Sequence, residues 1–201
     1  MTDTLEVIAA QVNQCKACSL YFGRKNAVPG VGPTDADIMF IGEGPGFHED
    51  QQGLPFVGPA GRFLDELLES IGLTRGNVFI ANVVKCRPPG NRDPKEEELN
   101  ACRNFLDRQI AVIQPKMIVT LGRFSMARYF PNAKISSIHG RPSKVEGVLI
   151  FPMYHPAAAL HRPSLRSTVE EDMAKIPDIL ARIDEYADSK PQDEAKQLSF
   201  F

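Results

Sequence analysis

Short apolar segments alternate with longer segments of helical spacing along most of the chain. Apolar runs of strand length predict four strands, at residues 37–41, 77–84, 116–121 and 148–152. Apolar residues spaced three or four positions apart predict helices at 4–15, 60–71, 93–113, 122–130 and 167–186. Pro94 is expected at the first position of the third helix, and Pro177 is expected to kink the last one. This alternation predicts an α/β fold, a three-layer α/β/α architecture with a central four-stranded, mostly parallel sheet.

Three segments follow predicted strands and carry unusual residues. They begin after Ile41, after Asn82 and after Pro152. Ligands of open parallel sheets bind beyond the carboxyl ends of the strands. We therefore expect these three segments to meet around one site.

Length and composition indicate an ordinary globular protein. The chain has 201 residues, of which 43% are hydrophobic and 24% charged, and its formal net charge is -2. These values predict one domain at residues 1–187, followed by a polar linker and terminal peptide at 188–201. No run approaches the roughly 18 consecutive apolar residues of a membrane helix. Residues 1–6 lack the basic, apolar and small-residue regions of a signal peptide. We expect a cytoplasmic monomer.

Local charge differs from the average. Residues 82–92 contain Lys85, Arg87 and Arg92 but no acid, and residues 139–166 are also basic, whereas the segment after residue 167 is acidic. Such asymmetry is found on surfaces that contact polyanions, although it also arises from scattered surface charge. Both basic segments are expected beside the strand ends.

The four cysteines suggest a metal centre. Cys15 and Cys18 form a C-x2-C pair, and Cys86 and Cys102 follow much later in the chain. In a reducing compartment, cysteines are more often free, metal-bound or catalytic than paired in disulfides. Spacing alone leaves three alternatives: four separate buried thiols, a structural zinc ion, or a 4Fe-4S cluster.

A glycine-rich segment follows the first predicted strand. Gly42, Gly44 and Gly46 surround Glu43, but the segment lacks both the dinucleotide-binding glycine pattern and the Gly-Lys-Ser/Thr ending of a phosphate loop. The glycines instead predict a tight backbone that exposes N–H groups and holds Glu43 at the mouth of the sheet.

Three further polar or aromatic residues are candidates for ligand contacts. Phe56, in a loop of small residues, is either a stacking platform for a flat ligand or an anchor of the loop. Asn82 ends the second strand, and its amide offers the donor and acceptor needed to read a base edge. His155 follows the fourth strand, next to a segment that is first small and apolar and then basic.

These motifs resemble those of the family 4, iron-sulfur uracil-DNA glycosylases. The resemblance covers about residues 15–182. It rests on GEGPG at 42–46, Glu49-Asp50, PFVGPAG at 55–61, Asn82 with VVKCRPPGNR after it, the four cysteines, and His155-Pro156. The family implies a DNA repair enzyme that releases uracil from DNA and leaves an abasic site.

The resemblance also implies a role for each residue. The four cysteines would hold a 4Fe-4S cluster. Phe56 would stack on a flipped uracil, Asn82 would pair with its polar edge, and Glu49 would occupy the position of a thymine methyl group. His155 would stabilise the leaving base, helped by N–H groups of the loop at Gly42 and Gly44, and Glu43 would direct the attacking water.

Some expected positions depart from the family pattern. Relatives carry a bulky wedge in the loop after the histidine, whereas this chain has three alanines, so Leu160 is the candidate wedge and Arg162 and Arg87 the candidate phosphate contacts. A related group captures uracil covalently through a histidine near the second strand. Residues 88–99 contain no histidine, which favours turnover.

The terminal peptide has a resemblance of its own. Gln197, Leu198, Phe200 and Phe201 resemble the short motif that binds bacterial sliding clamps. The alternative is a tail that docks on its own domain. Two other functions remain open from the residues: an iron-sulfur electron carrier, and a module that binds uracil in DNA without cleaving it.

Overall fold

A single mostly parallel sheet forms the centre of the protein. The computed structural model describes residues 3–187. Five strands are present in that range: β1 (Ile38–Gly42), β2 (Val78–Asn82), β3 (Met117–Leu121), β4 (Ser143–Val145) and β5 (Val148–Met153). Their order is β2-β1-β3-β5-β4, and only the β4–β5 pairing is antiparallel. The α/β fold predicted from the sequence is confirmed.

Helices connect the strands and cover both faces of the sheet. Those from the first half are α1 (Leu5–Gln14), α2 (Phe47–Gln52), α3 (Pro59–Ser70) and α4 (Glu96–Ile113). Those that follow are α5 (Arg123–Ala127), α6 (Ile135–Ile138), α7 (Pro156–His161), α8 (Arg166–Ala174) and α9 (Ile176–Ala181). Short 3-10 turns lie at Ser19–Phe22, Arg75–Asn77, Pro89–Asn91, Pro163–Leu165 and Ile183–Glu185.

Alternating side chains of the strands build two cores. In β1, Phe40 packs with residues of α3 and α8 on one face, while Met39 and Ile41 pack with residues of α4 on the other. Each strand of the parallel core is buried along its whole length, or all but its first residue in β5. Burial on both faces explains why these strands read as continuous apolar runs in the sequence.

The predicted number of four strands was wrong, because β4 adds a fifth. This strand has only three residues, all half-buried, and lies at the edge of the sheet. Glu146 and Gly147 join it to β5 with φ angles of 50° and 82°. Two positive φ angles are typical of a tight hairpin turn, which pairs neighbouring strands without an apolar pattern of its own.

Two predicted helix boundaries also differ. The helix expected from residue 93 begins at Glu96, because the Glu98 carboxylate accepts the Lys95 backbone N–H at 2.8 Å and so caps the helix there. The long final helix is divided into α8 and α9 at Lys175, two residues before Pro177. Both changes are local, and the stripes of apolar residues still face the core.

The terminal peptide at 188–201 lies outside the described residues. Its predicted role in partner binding therefore remains a prediction. Within residues 3–187, no helix is both long enough and apolar enough to cross a membrane.

Candidate active site

A pocket of about 390 Å³ opens at the carboxyl ends of the parallel strands. Its walls come from the segments after β1, β2 and β5, the three that the sequence predicted to converge, and include Glu43, Gly44, Glu49, Phe56, Asn82 and His155. Its remaining walls are formed by Pro45, Gly46, Ala60, Pro88, Asn91, Arg92, Ala157, Ala158 and His161. Pockets of this size commonly accept small organic ligands.

Gly42 does not itself line the pocket, but two residues that do, Asn82 and Phe56, require glycine at this position. Gly42 pairs in register with Asn82 across β1 and β2. A Cβ atom at this position would lie 2.7 Å from the Phe56 ring and would collide with the Asn82 amide oxygen. Absence of a side chain therefore lets the amide and the aromatic ring meet at one point.

Asn82 carries an unpaired acceptor. Its side chain is only 2% exposed. Within residues 3–187, its buried Oδ1 atom has no hydrogen-bond partner. Leaving such a group unpaired costs about 1–3 kcal/mol, so buried polar atoms without partners are uncommon and call for an explanation. Its position in the pocket wall indicates a ligand that supplies the missing donor.

The backbone around Phe56 is held in an uncommon conformation. Phe56 has φ = 53°, in the left-handed region that non-glycine residues seldom adopt. The Arg75 guanidinium donates hydrogen bonds to the carbonyls of Pro55, at 2.9 Å, and of Phe56, and is itself paired with Asp65. These contacts fix the ring, which is buried in the core and also lines the pocket.

Glu49 belongs to α2, a six-residue helix that the sequence did not predict. Glu49 Oε1 accepts hydrogen bonds from the backbone N–H groups of Val57 and Gly58, both at 2.8 Å. Its Oε2 accepts the Gly46 N–H at 3.1 Å. The carboxylate thus joins the start of α2 to the segment after Phe56, while it also lines the pocket.

His155 is held as a neutral imidazole. It is the N-cap of α7, where its Nδ1 accepts the Ala157 backbone N–H at 3.1 Å. Burial lowers the pKa of His155 to about 4, despite an opposing contribution from Glu49. With Nδ1 as acceptor, the proton of the neutral ring is on Nε2. The imidazole ring of His155 stacks on the Phe56 ring, with centroids 5.4 Å apart and an angle of 22° between the ring planes.

Glu43 is a half-buried carboxylate at the mouth of the pocket. Burial raises the pKa of Glu43, and the negative charge of Asp93 raises it further, whereas the positive charge of Arg123 lowers it. Asp93 and Arg123 are paired with each other. The pair therefore applies two opposing influences to one carboxylate.

The structure places the three predicted DNA contacts at the rim rather than in the pocket. Leu160 is 43% exposed on α7, and Arg162 is exposed at the end of that helix. The segment after His155 was expected to be a loop, but its alanines favour a short helix that starts at Pro156. Arg87 lies over the Phe47 ring and donates to Asn91 Oδ1 at 2.7 Å.

Several lining residues were not predicted from the sequence. Asn91 and His161 have no local pattern that marks them, and Arg92 was marked only as part of a basic segment. Each of the three reaches the pocket through the fold. Arg92 is fixed by a two-point ion pair with the fully buried Glu98, at 2.9 and 2.7 Å. The basic segment 82–92 was the one signal that pointed to this wall.

The four cysteines line a second, smaller cavity. Cys15, Cys18, Cys86 and Cys102 all contribute to its wall, together with Lys85. Among the described residues, however, no group of three Cys, His, Asp or Glu side chains fits a single metal ion. Four sulfurs around one tetrahedral zinc ion, with bonds of about 2.3 Å, must approach to about 3.8 Å from each other. The arrangement therefore does not match a preformed zinc site.

N–H groups point at several of these sulfur atoms. Arg24 Nη1 donates to Cys86 Sγ at 3.0 Å, and the Lys85 backbone N–H donates to Cys102 Sγ at 3.3 Å. The Ala17 N–H approaches Cys15 Sγ at 3.5 Å. Such donors stabilise thiolates, the form in which cysteine binds iron or zinc. The donor set thus fits a group that four thiolates hold around a shared cavity.

Sequence comparisons place the chain in a family. A sequence model described as the uracil DNA glycosylase superfamily matches residues 29–176. A protein of Sulfurisphaera tokodaii, named type-4 uracil-DNA glycosylase, is 50% identical over 184 residues that cover 87% of this chain and 84% of that protein. The chain belongs to the type-4 uracil-DNA glycosylase family.

Another type-4 glycosylase and a type-5 glycosylase are also similar to most of the chain. The protein of this name from Archaeoglobus fulgidus is 44% identical over 190 residues, which cover 90% of this chain and 95% of its own length. A type-5 uracil-DNA glycosylase of Pyrobaculum aerophilum is more distant, at 29% identity over 75% of this chain and 73% of that protein. The family resemblance inferred from the motifs is confirmed.

Proposed function

We propose that this type-4 glycosylase hydrolyses the N-glycosidic bond of deoxyuridine in DNA, releasing uracil and leaving an abasic site. The proposal rests on the unpaired Asn82 Oδ1 atom in a pocket that also contains an aromatic ring, a neutral histidine and a carboxylate. The names of the curated relatives point to the same reaction.

Recognition uses the edge and the face of a base extruded from the stack. Asn82 Oδ1 accepts the N3–H of uracil, and the amide nitrogen donates to O4. Cytosine is rejected because its N3 carries no hydrogen and its exocyclic amine is a donor where O4 is an acceptor. Phe56 stacks on the ring, and the Glu49 carboxylate occupies the space that a thymine methyl group needs. Fixed hydrogen bonds support this role, since they prevent Glu49 from moving aside.

Cleavage separates charge between the sugar and the base. As the bond between C1′ and N1 breaks, its electron pair leaves with uracil, and His155 Nε2–H donates to O2 of the resulting anion. Backbone N–H groups of the Gly42–Gly44 segment add to this stabilisation. A water molecule forms the new bond to C1′ and gives a proton to Glu43. Lowering of the His155 pKa supports donation by a neutral ring.

The four cysteines are proposed to hold a 4Fe-4S cluster. A cluster is wider than one ion, so its ligand sulfurs stand further apart, in keeping with four cysteines around a cavity that lacks a single-ion site. When bound, the cluster supplies a cross-link between distant segments of the chain. This role is structural, because all four thiolates are used as ligands.

DNA is held at the rim of the pocket. Leu160 enters the space that the flipped nucleotide vacates, and Arg162 and Arg87 contact phosphates. The exposed positions of Leu160 and Arg162, and the half-buried position of Arg87 beside Asn91 of the pocket wall, support this assignment. Residues 88–99 carry no histidine that could capture uracil covalently, which favours turnover.

A sliding clamp is proposed as a partner of the terminal peptide. The proposal rests on the sequence of Gln197, Leu198, Phe200 and Phe201 alone. Deletion of residues 197–201 is expected to abolish binding to a purified bacterial clamp in calorimetric titration, with excision from oligonucleotides unchanged. Equal clamp affinity of the deleted and the full chain would contradict it.

The activity itself is tested with anaerobically purified protein and a labelled oligonucleotide that carries one uracil. Alkali treatment should cut only the uracil strand, and matched thymine and cytosine strands should stay intact. Absence of cleavage by iron-loaded protein would overturn the proposal. Retained affinity for uracil-containing DNA would then favour a binding module, and loss of it an electron carrier.

A further inference from the structure

A second aromatic side chain stands at the rim of the pocket. Phe47, the first residue of α2, is 52% exposed. It follows Gly46, which lines the pocket. Five large apolar residues are exposed in the described part of the chain. Two of them, Phe47 and Leu160, lie on helices that contribute residues to the pocket wall.

The Phe47 ring is joined to the pocket wall through an arginine. The Arg87 guanidinium lies over the ring, 5.2 Å from its centroid, and its Nε donates to Asn91 Oδ1 at 2.7 Å. Asn91 lines the pocket. An arginine held on both sides in this way keeps the ring in one place, while half of the residue's surface remains open to solvent.

We propose that the Phe47–Arg87 pair is a stacking platform for the base of a nucleotide next to the flipped uracil. This inference rests on the proposed function. When a nucleotide leaves the stack, the neighbouring base loses a stacking partner on one face. The strand must cross the rim to deliver uracil into the pocket, so the neighbouring base passes within one nucleotide of Phe47. An exposed aromatic ring with an arginine beside it is a common platform for single-stranded bases.

The platform favours single-stranded DNA. In a duplex, the neighbouring base is paired and stays in its own stack, where Leu160 fills the gap. In a single strand, this base is free to turn onto Phe47. Loss of the ring should therefore weaken binding to single strands more than binding to duplexes.

A double-mutant cycle, in which the protein and the DNA are changed separately and together, tests the contact between Phe47 and the neighbouring base. The probes are single-stranded oligonucleotides with one 2′-fluoro-2′-deoxyuridine, which resists excision, either intact or with the base removed at the 5′ or the 3′ neighbour. Phe47→Ala should weaken binding to the intact strand about tenfold, and should have little effect on the strand that lacks the base contacted by the ring. Phe47→Tyr should restore the affinity. Phe22→Ala, which removes a ring that is 76% exposed elsewhere, is the matched control.

The salt dependence of binding separates stacking from charge. Phe47→Ala should leave the slope of log affinity against log salt unchanged, whereas Arg87→Gln should reduce it, because Arg87 is proposed to contact a phosphate as well. An equal loss with all three strands, or no loss with any, would overturn the platform. Excision of ordinary uracil by the wild type is measured in a separate assay. Failure of the proposed function would therefore appear as absence of free uracil, and failure of the platform as unchanged relative affinities for the three strands.

Discussion

Glu49 Oε1 lies 2.8 Å from the backbone nitrogen of Gly58 and accepts its hydrogen bond. The same oxygen accepts the N–H of Val57, directly after Phe56. One carboxylate therefore holds the backbone next to Phe56 and also stands in the pocket wall, where it is proposed to exclude the methyl group of thymine. The proposed specificity and the shape of the pocket depend on the same side chain.

Replacement of Glu49 should affect both properties. In Glu49→Ala, three backbone N–H groups lose their acceptor, and hydrogen bonds to a charged acceptor contribute about 1.5–3 kcal/mol each at most. Because these N–H groups are only part-buried and water can replace some of the lost bonds, we expect a loss of about 2–4 kcal/mol in the free energy of unfolding, measured by urea denaturation. We also expect slow excision of thymine from a mismatch, which the wild type is expected to leave intact. A variant that is as stable as the wild type and still rejects thymine would contradict both roles.

The pH dependence of excision should respond to two charges near Glu43. The carboxylate must be ionised to accept a proton from water, so activity falls as pH drops through its pKa, which burial and Asp93 raise. Asp93→Asn removes a negative charge and should move this acid limb to lower pH. Arg123→Gln removes the opposing positive charge and should move it to higher pH.

Single-turnover rates across pH 4 to 8 measure these shifts. Both variants lose the same ion pair between Asp93 and Arg123, so each serves as the structural control of the other. Shifts in the same direction would show that the loss of the pair, rather than the charge on Glu43, governs the profile.

Protein stability should fall in mild acid because of His155. The pKa of His155 is about 4 in the folded protein, and near 6.5 for an unperturbed histidine. Between these values, the unfolded chain binds a proton that the folded chain does not. The contribution of His155 to the free energy of unfolding is therefore fully present above about pH 6.5 and is lost as pH falls toward 4. His155→Gln should reduce the slope of unfolding free energy against pH in this window. An unchanged slope would indicate that His155 titrates normally.

Arg24 should help to retain the proposed 4Fe-4S cluster. Its Nη1 donates to Cys86 Sγ at 3.0 Å, and its Nη2 donates to the Asn13 carbonyl at 2.7 Å, close to Cys15. Arg24→Gln should lower the iron content and the visible absorbance after exposure to chelator. Arg108→Gln is the matched control, because Arg108 binds Asp3 and, within the described residues, donates no hydrogen bond to a cysteine sulfur. Equal iron loss in both variants would assign the effect to general loosening of the amino-terminal segment.

Residues at the ends of apolar strands could be predicted well from the sequence. Asn82 and His155 each follow a buried run, and the topology of a parallel sheet brings such residues to one edge. The convergence of three segments needed no knowledge of side-chain contacts. In the same way, Cys102 lies in the apolar stripe of the predicted third helix, with Leu99 and Leu106, which predicts an inward-facing side chain, and Cys102 is buried on α4.

Short elements and long-range contacts could not be predicted in this way. α2 and β4 have six and three residues, too few for a periodic pattern, and they depend on caps and turns. The ion pair of Arg92 with Glu98 and the hydrogen bond from Arg75 to the Phe56 carbonyl join residues through the fold. No spacing rule marks such pairs in a single sequence.

The most direct test compares uracil excision by the wild type and by Asn82→Ala under single-turnover conditions. Far-ultraviolet circular dichroism and iron content show that the variant is folded and loaded. The unpaired Oδ1 atom predicts that the variant is at least about a hundredfold slower, the order of loss when a site designed for one hydrogen-bond pattern loses its partner. A folded, iron-loaded variant that excises uracil within a few fold of the wild-type rate would contradict the assignment of Asn82 as the residue that reads the base.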